Sequence, residues 1–436
     1  MDTPHSAQTW ASHPRAAPTT SHTATGYSIA ANGTRTLSGG WQLALTDIEG
    51  GATYRMSVDV RFEALGHWRD ALQCRALWGS TGTDTDHGPQ QWDYLVPEYL
   101  GEQTLRFSRV LRAPANVDSL TLRYTLRWTP SGTTHWSAPR IERVPEQTAH
   151  PTHIAVVTGT RASRQEHDIK HVADNVAFYA ERCRACAADV DLIVLPEVAL
   201  QWQVPGHPLD TALTCPGPET DVFAHIARQH NVHILLGLFQ REGDAVRNSA
   251  VLIDESGSLA GCYDKVHLAV GGESESGILP GDAFPIFHTP IGRIGCNICM
   301  DISAAESARM VGLNGADFLL LPIMGDHRAD RWSPGPPVFH EERWRAIMRT
   351  RALDGQFTLV AARNEGQGSC IVDRRGDFLA YNDGTQEIIT ACVPAEDGYR
   401  TWNGGDFRGI NWMQRRPHIY RAYTDETNSG PLQDQF

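Results

Sequence analysis

Asp191-Leu-Ile-Val-Leu-Pro-Glu197 and Gly295-Cys-Asn-Ile-Cys-Met-Asp301 are two short apolar runs that end in reactive side chains. Short, largely apolar runs of this kind are typical of strands that are buried on both faces. Stretches with helical spacing, such as residues 168 to 188, lie between such runs. Strands that alternate with helices predict an α/β layer fold, in which ligands bind at the carboxyl ends of the strands.

The first third of the chain has a different pattern. Between residues 26 and 145, runs such as Tyr54–Phe62 and Leu120–Trp128 alternate apolar and polar residues with period two. This alternation predicts an all-β sandwich or jelly roll. The pattern is similar in texture to galactose-binding-like and other carbohydrate-binding modules. The predicted organisation is a disordered arm (1–25), a β-sandwich module (26–145), an α/β domain (152–395) and an aromatic-rich C-terminal extension (396–436).

Composition restricts the classes of partner. The formal charge of −13 argues against nucleic acid, because binding to phosphates needs a basic surface. No apolar run approaches the roughly 20 residues that a membrane span needs. The first residues have neither a basic nor an apolar segment of the kind that starts a secretory signal, so none is expected. Nine irregularly spaced cysteines favour reduced thiols and a cytoplasmic location.

Lysine is rare here, which draws attention to Lys265. The chain has 38 lysines and arginines together, and only Lys170 and Lys265 are lysines. A GC-rich genome would explain part of this bias. Lysine nevertheless offers a compact charge that can approach one reacting atom more closely than arginine can. Lys265 lies in Tyr-Asp-Lys-Val-His-Leu, at the end of a strand-like run, which makes it a candidate for such a role.

Three side chains suggest nucleophilic catalysis. Cys299 lies between a predicted strand and a helix that starts near Ser303, where helix N–H groups would favour a thiolate. Glu197 is a candidate general base for the thiol proton. Lys265 and the backbone N–H of Met300 would stabilise a tetrahedral oxyanion. Each residue alone also has an ordinary interpretation: a core cysteine, a loop glutamate or a solvated lysine.

Taken together, these segments resemble the nitrilase superfamily of carbon–nitrogen hydrolases. The likeness covers about residues 152–395 and rests on Leu195-Pro-Glu197, Tyr263–Leu268 and Ile298-Cys-Met-Asp-Ile302 in the family's order. The resemblance implies a Glu–Lys–Cys triad and a four-layer αββα sandwich that usually dimerises. It also implies a further glutamate soon after the lysine, for which Glu273 fits and Glu275 is a weaker candidate. The chain departs from the family pattern at Met300 and Ala305, where the family usually has an aromatic residue and a proline.

The resemblance also implies a reaction. Cys299-Met-Asp301 is closer to the Cys-Tyr-Asp of amidases and carbamoylases than to the Cys-Trp-Glu of nitrile-hydrolysing members, so an amide or N-carbamoyl small molecule is the expected substrate. The expected path is a thioester acyl-enzyme with loss of ammonia or an amine, without cofactor or metal. Nitrile hydrolysis and acyl transfer on the same triad remain alternatives. The expected substrate-binding residues are His327, Arg328 and Arg331, on the loop after a predicted strand.

Other functions are open at this point. The pairs Cys183/Cys186 and Cys296/Cys299 permit a zinc or redox site, although about 110 residues separate them, which is far from usual zinc-site spacing. A cysteine–histidine hydrolase would use Cys299 with His267 or His327. A catalytically silent protein that binds glycans through the sandwich module is an alternative of another class. The resemblance further implies a homodimer or higher homo-oligomer, with the extension after residue 395 at a subunit interface.

Overall fold

The structure is a computed structural model that describes residues 6–23, 26–79, 91–145, 150–324, 339–395 and 400–425. The described residues form two compact units. One unit contains the residues up to 145 together with 400–425, and the other contains 150–324 and 339–395.

The first unit is a β-sandwich of two antiparallel sheets, as the period-two pattern predicts. Side chains of both sheets meet in one apolar core that includes Trp41, Tyr54, Phe107 and Trp136. One sheet has the order β1 (Ser6–Ala11), β4 (Ser38–Leu45), β10 (Ser119–Arg127), β6 (Leu72–Gly79), β7 (Trp92–Tyr94). The other has the order β2 (Thr19–Thr23), β3 (Gly26–Ala30), β11 (Thr133–Ser137), β5 (Thr53–Glu63), β9 (Thr104–Arg112), β8 (Val96–Gly101), and β12 (Arg140–Val144) also pairs with β5. A single helical turn, α1 (Trp68–Ala71), precedes β6.

The predicted disorder of residues 1–25 is wrong for the described part, 6–23. There, β1 pairs with β4 and β2 pairs with β3, both antiparallel. Most side chains in these two strands are exposed, so the sequence shows no apolar periodicity. Backbone hydrogen bonds to the edge of each sheet hold the strands, and any residue except proline can donate such bonds.

The second unit contains two six-stranded sheets with the same plan. In each, three parallel strands lie at the centre and antiparallel strands lie outside them. The first sheet has the order β17 (Leu259–Asp264), β16 (Ala245–Ile253), β15 (His233–Glu242), β14 (Leu192–Val194), β13 (Thr152–Val157), β24 (Ile388–Val393). The second has the order β18 (Phe287–Thr289), β19 (Gly292–Cys296), β20 (Phe318–Ile323), β21 (Thr358–Arg363), β22 (Cys370–Val372), β23 (Phe378–Tyr381).

Helices cover the outer face of each sheet. Phe178 and Phe223, from two helices, pack on the outer face of the first sheet, and Val311 and Met348 pack on the second. A third cluster, which includes Val194 and Leu320, lies between the sheets. The helices of this unit are α2 (Arg161–Glu166), α3 (Val172–Cys186), α4 (Pro208–Thr211), α5 (Pro218–His230), α6 (Ala305–Leu313) and α7 (Glu341–Gly355). The unit is therefore an αββα sandwich, as expected.

The C-terminal segment returns to the sandwich unit. Asp406 caps helix α8 (Phe407–Met413) and forms an ion pair with Arg109 of β9 at 2.6 Å. Arg400 pairs with Asp93 at 3.2 Å, and the Trp92 indole N–H donates to the Asn403 carbonyl at 3.0 Å. The described part of the extension is thus ordered within its own chain. Its placement at a subunit interface stays a prediction.

Candidate active site

Cys299 follows β19, one of the three parallel strands of the second sheet, at their carboxyl end. It is partly buried and has a φ of 45°, in the left-handed region that non-glycine residues rarely adopt. A sharp, strained turn of this kind exposes a side chain above the sheet. The helix that the sequence predicts to start near Ser303 has Ala304 as its N-cap. A 3-10 turn spans Cys299–Ser303, and α6 begins only at Ala305.

Glu197 lies at the carboxyl end of β14 and is 1% exposed. Its Oε1 accepts hydrogen bonds from Lys265 Nζ and Asn248 Nδ2, both at 2.8 Å. Its Oε2 accepts from the Met324 backbone N–H at 2.6 Å. The Asn364 side chain donates to the Glu197 carbonyl oxygen at 2.8 Å. These four donors fix both the carboxylate and the backbone that bears it.

Gly237 of β15 keeps this segment in place. A Cβ atom at Gly237 would lie 2.2 Å from the carbonyl oxygen of Pro196 and 2.9 Å from the Cα of Glu197. Both distances are below ordinary van der Waals contact, so only glycine allows the strand and the Glu197 segment to approach this closely.

Lys265 is also 1% exposed, and its ammonium lies between two carboxylates. In addition to Glu197 it contacts Glu273 Oε2 at 2.6 Å. Burial on its own lowers the pKa of Lys265, but the charges of Glu197, Cys299 and Glu273 outweigh burial and raise it. An ammonium has three N–H donors. Two of them bind these carboxylates, which leaves the third for a reacting group.

Glu273 belongs to the same hydrogen-bond network. Its Oε2 also accepts from the Ala269 backbone N–H at 2.8 Å, and its Oε1 accepts from Asn248 Nδ2 at 2.5 Å. Asn248 therefore bridges the same two carboxylates as Lys265. Glu273, the further glutamate that the family resemblance implies, thus lies within hydrogen-bonding distance of Lys265 and orients its ammonium.

The thiol of Cys299 is affected electrostatically by this network. Burial raises its pKa, and Glu197 and Glu273 raise it further, whereas Lys265 and the Met324 N–H lower it. The net direction is upward. This direction is opposite to the sequence-based expectation that helix N–H groups favour a thiolate. A thiol with a raised pKa needs a base when it attacks.

A second cluster around Asp301 joins the nucleophile turn to the lysine segment. Asp301 is completely buried. Its Oδ2 accepts from the Tyr263 hydroxyl at 2.6 Å and the Ile298 N–H at 2.9 Å. Its Oδ1 lies 2.8 Å from both the backbone N and the ring Nδ1 of His267. The Asp301 carboxylate thus joins Tyr263 and His267, which lie two residues before and after Lys265, to Ile298, which directly precedes Cys299.

The structure brings together Cys299, Glu197, Lys265 and Glu273. Met300 follows the nucleophile and is 40% exposed, and its N–H stays a predicted oxyanion donor. His327, Arg328 and Arg331 lie outside the described residues. Sequence reasoning missed the roles of Asn248, Met324, Asn364 and Asp301. The only local signal was that each follows or lies in an apolar strand segment.

The competing interpretations fit this geometry less well. Cys183 and Cys186 pack in the apolar layer between α3 and the first sheet, whereas Cys296 lies between the two sheets. All nine cysteines are free thiols. Within the described ranges no group of three or more His, Cys, Asp or Glu side chains is arranged to hold a metal. His267, the described candidate for a cysteine–histidine pair, has its Nδ1 at Asp301.

Comparisons with known proteins match the part of the chain that forms the αββα unit. The family model described as carbon–nitrogen hydrolase matches residues 153–401, more than half of the chain. A protein named probable nitrilase from Schizosaccharomyces pombe is 29% identical over 239 residues, which are 53% of this chain and 81% of that protein. Citrullinase from Francisella tularensis is 28% identical over 221 residues, 47% of this chain and 74% of that protein. The crystal structure of a Helicobacter pylori carbon–nitrogen hydrolase has a TM-score of 0.50 at 22% identity, covering 64% of this chain and 99% of that one, and it supports the fold alone.

Proposed function

The chain belongs to the carbon–nitrogen hydrolase family and is therefore a carbon–nitrogen hydrolase with an active-site cysteine. From this premise we propose that it hydrolyses an amide or N-carbamoyl group of a small molecule through a thioester on Cys299. The observation that supports this most is the buried contact of Lys265 with Glu197 and Glu273 at 2.8 and 2.6 Å, beside a cysteine on a strained turn.

The first half of the proposed reaction forms the thioester. Glu197 takes the Cys299 proton as Sγ attacks the carbonyl carbon. The third N–H of Lys265 and the Met300 N–H donate to the oxyanion. The tetrahedral intermediate then collapses, the C–N bond breaks, and Glu197 returns the proton to the leaving nitrogen. Ammonia or an amine departs.

The second half consumes water. Glu197 takes a proton from the water molecule as its oxygen attacks the thioester carbon. The C–S bond breaks, the carboxylic acid leaves, and Cys299 recovers its proton. The raised pKa of the Cys299 thiol fits this cycle, because the sulfur is protonated at its start and end. Glu273 and Asn248 position Lys265 and Glu197 and contact no reacting atom in this scheme.

The substrate class rests on the nucleophile segment and on the relatives. Cys299-Met-Asp301 resembles the amidase and carbamoylase branches, and one relative, citrullinase, is named for a substrate that contains a ureido group. Another is named probable nitrilase. Nitriles therefore stay in the test as a second substrate class. His327, Arg328 and Arg331 remain proposed substrate-binding residues.

The test is ammonia release from a panel of primary amides, N-carbamoyl amino acids, ureides and nitriles. The wild type should release ammonia from an amide or carbamoyl member, and Cys299→Ala should release none. The matched control is Cys392→Ala, because Cys392 is exposed on β24. Mass spectrometry of the wild type, quenched in acid during turnover, should show an acyl group on the peptide that contains Cys299, and Glu197→Gln, which lacks the base for the thiol proton, should show none. Full activity in Cys299→Ala would disprove the proposal.

We also propose that the chain forms a homodimer or higher homo-oligomer in the cytoplasm and binds neither nucleic acid nor membranes. The proposed oligomer is supported by a shallow apolar groove of about 320 Å³ between α3 and α5, lined by Val176, Ala177 and Val222. In the described residues, no helix is both long and apolar enough to cross a membrane. Sedimentation of the wild type and Ala177→Glu tests the oligomer. An unchanged monomer in both would contradict it.

A further inference from the structure

The sandwich unit contains a cavity that the proposed reaction does not use. It has a volume of about 280 Å³ and lies on the face of the five-stranded sheet that points away from the apolar core. Its sheet side is lined by Trp10, Gln73, Arg75, Trp92, Thr125 and Arg127. Asn403, Ile410 and Gln414 of the C-terminal segment line its other side. The cavity therefore exists only because the chain end returns to the sandwich.

The sheet face at the cavity concentrates positive charge. Arg75 on β6 and Arg123 on β10 are direct cross-strand partners, and Arg127 lies on the same face of β10. Like charges directly opposite each other destabilise a sheet. Burial and the nearby Arg75 charge together lower the pKa values of Arg123 and Arg127 to about 10. The face therefore holds several guanidinium groups close together despite their mutual repulsion.

Two polar groups at the cavity lack partners. Thr125 is 1% exposed, and its Oγ1 has no hydrogen-bond partner among the described residues. The buried Nε of Arg75 also has none, and within the same described ranges Arg75 forms no ion pair with a carboxylate. Buried polar groups are normally hydrogen-bonded, because leaving them unpaired costs free energy. These groups are therefore suited to donate to an anion in the cavity.

Aromatic rings border the same cations. The Arg75 guanidinium lies 5.5 Å from the ring centre of Trp92, and that of Arg123 lies 4.5 Å from the ring of Trp10. The Trp92 ring is held in place because its indole N–H donates to Asn403. Flat aromatic faces next to fixed donors bind ligands that have both an apolar ring face and polar groups.

From these contacts we propose that the cavity binds an acidic monosaccharide, a ligand with the chemistry of a uronic acid. The carboxylate pairs with the fork of Arg75, which matches carboxylate geometry. The Thr125 hydroxyl and the Gln73 amide bind the same carboxylate or the ring hydroxyls, and one face of the sugar ring packs on Trp92. The volume of about 280 Å³ lies just below the usual range of ligand pockets, roughly 300 to 1,000 Å³. One sugar unit therefore fits and a chain of several does not.

The experiment titrates the full-length protein with D-glucuronate by calorimetry, with D-glucose and inorganic phosphate as separate probes. Glucuronate should bind saturably, and glucose and phosphate at least tenfold more weakly. Arg75→Gln and Thr125→Val should each weaken glucuronate binding at least tenfold. The control Arg61→Gln removes an arginine that is 67% exposed on the other sheet, and it should bind as the wild type does.

Melting curves separate a ligand role from a structural one. Arg75→Gln removes a repulsion between cross-strand neighbours, and Thr125→Val removes an unpaired buried hydroxyl, so neither should lower the melting temperature. No saturable binding of glucuronate would overturn the proposal. Equal binding of glucose would refute the role of the carboxylate, and equal binding of phosphate would refute the role of the sugar ring. Undiminished binding by Arg75→Gln would place the ligand outside this cavity.

Discussion

Replacement of Asp301 by alanine should destabilise the αββα unit strongly. The change leaves two completely buried donors without a partner, the Tyr263 hydroxyl and the Ile298 N–H. A buried donor left unpaired costs about 1–3 kcal/mol, so the two together should lower the free energy of unfolding by about 2–6 kcal/mol. The two groups of His267 are not counted, because its side chain is 41% exposed and water can replace Asp301. Against the roughly 5–15 kcal/mol of a typical domain, this is a large loss.

The two units can be followed separately during denaturation. The long helices α3, α5, α6 and α7 all belong to the αββα unit, so the circular dichroism at 222 nm reports mainly on that unit. Nine of the 12 tryptophans lie in the chain segments of the sandwich unit, so fluorescence reports mainly on the sandwich. In a guanidinium titration of Asp301→Ala, the dichroism midpoint should fall while the main fluorescence transition stays in place.

A double-mutant cycle with Tyr263→Phe tests the assigned cause. Phenylalanine removes the hydroxyl donor, so the double variant has one buried donor unpaired instead of two. The two changes should therefore be non-additive by about 1–3 kcal/mol. Additive effects, or an unchanged dichroism midpoint in Asp301→Ala, would refute the reasoning that the Tyr263–Asp301 contact stabilises this unit.

Three further results are expected. Lys265→Met should lower kcat for ammonia release by at least about 10²–10³-fold, because it removes an oxyanion donor. The control Lys170→Met changes an exposed lysine that pairs with Asp168, and it should leave kcat unchanged. The hydrogen bond to Asp301 raises the pKa of His267 despite partial burial, so the stability that this contact adds should be complete below about pH 6.5 and decline as the pH rises through the raised pKa. The free energy of unfolding of His267→Gln, measured at several pH values, should lack this decline. The same pH dependence of stability in the wild type and in His267→Gln would contradict the assignment. Gly237→Ala should lower kcat while KM changes less. Its added Cβ would lie 2.2 Å from the Pro196 carbonyl oxygen and should displace Glu197. Wild-type kinetics in this variant would contradict the close approach of the two segments.

The sequence alone was sufficient to predict the αββα unit and three of the polar side chains that the structure places at one site. Glu197, Lys265 and Cys299 each end or follow an apolar strand segment, and such runs can be read locally. Period-two alternation likewise predicted the sandwich, because strands such as β5 bury one face and expose the other. In contrast, residues 6–23 show no periodicity, since backbone hydrogen bonds at the sheet edges hold them and their side chains remain exposed.

What the sequence determined are features that depend on neighbours along the chain: strand periodicity, the order of the segments and the reactive residue at the end of each. Only the tertiary structure decided which groups meet across long separations. Asn248 lies between Glu197 and Glu273, Asp301 joins Tyr263 to Ile298, and Asp406 pairs with Arg109, 297 residues away. The register of β6 and β10 likewise places Arg75 opposite Arg123. These contacts depend on strand register and on the return of the chain end, and neither leaves a periodic pattern in the sequence.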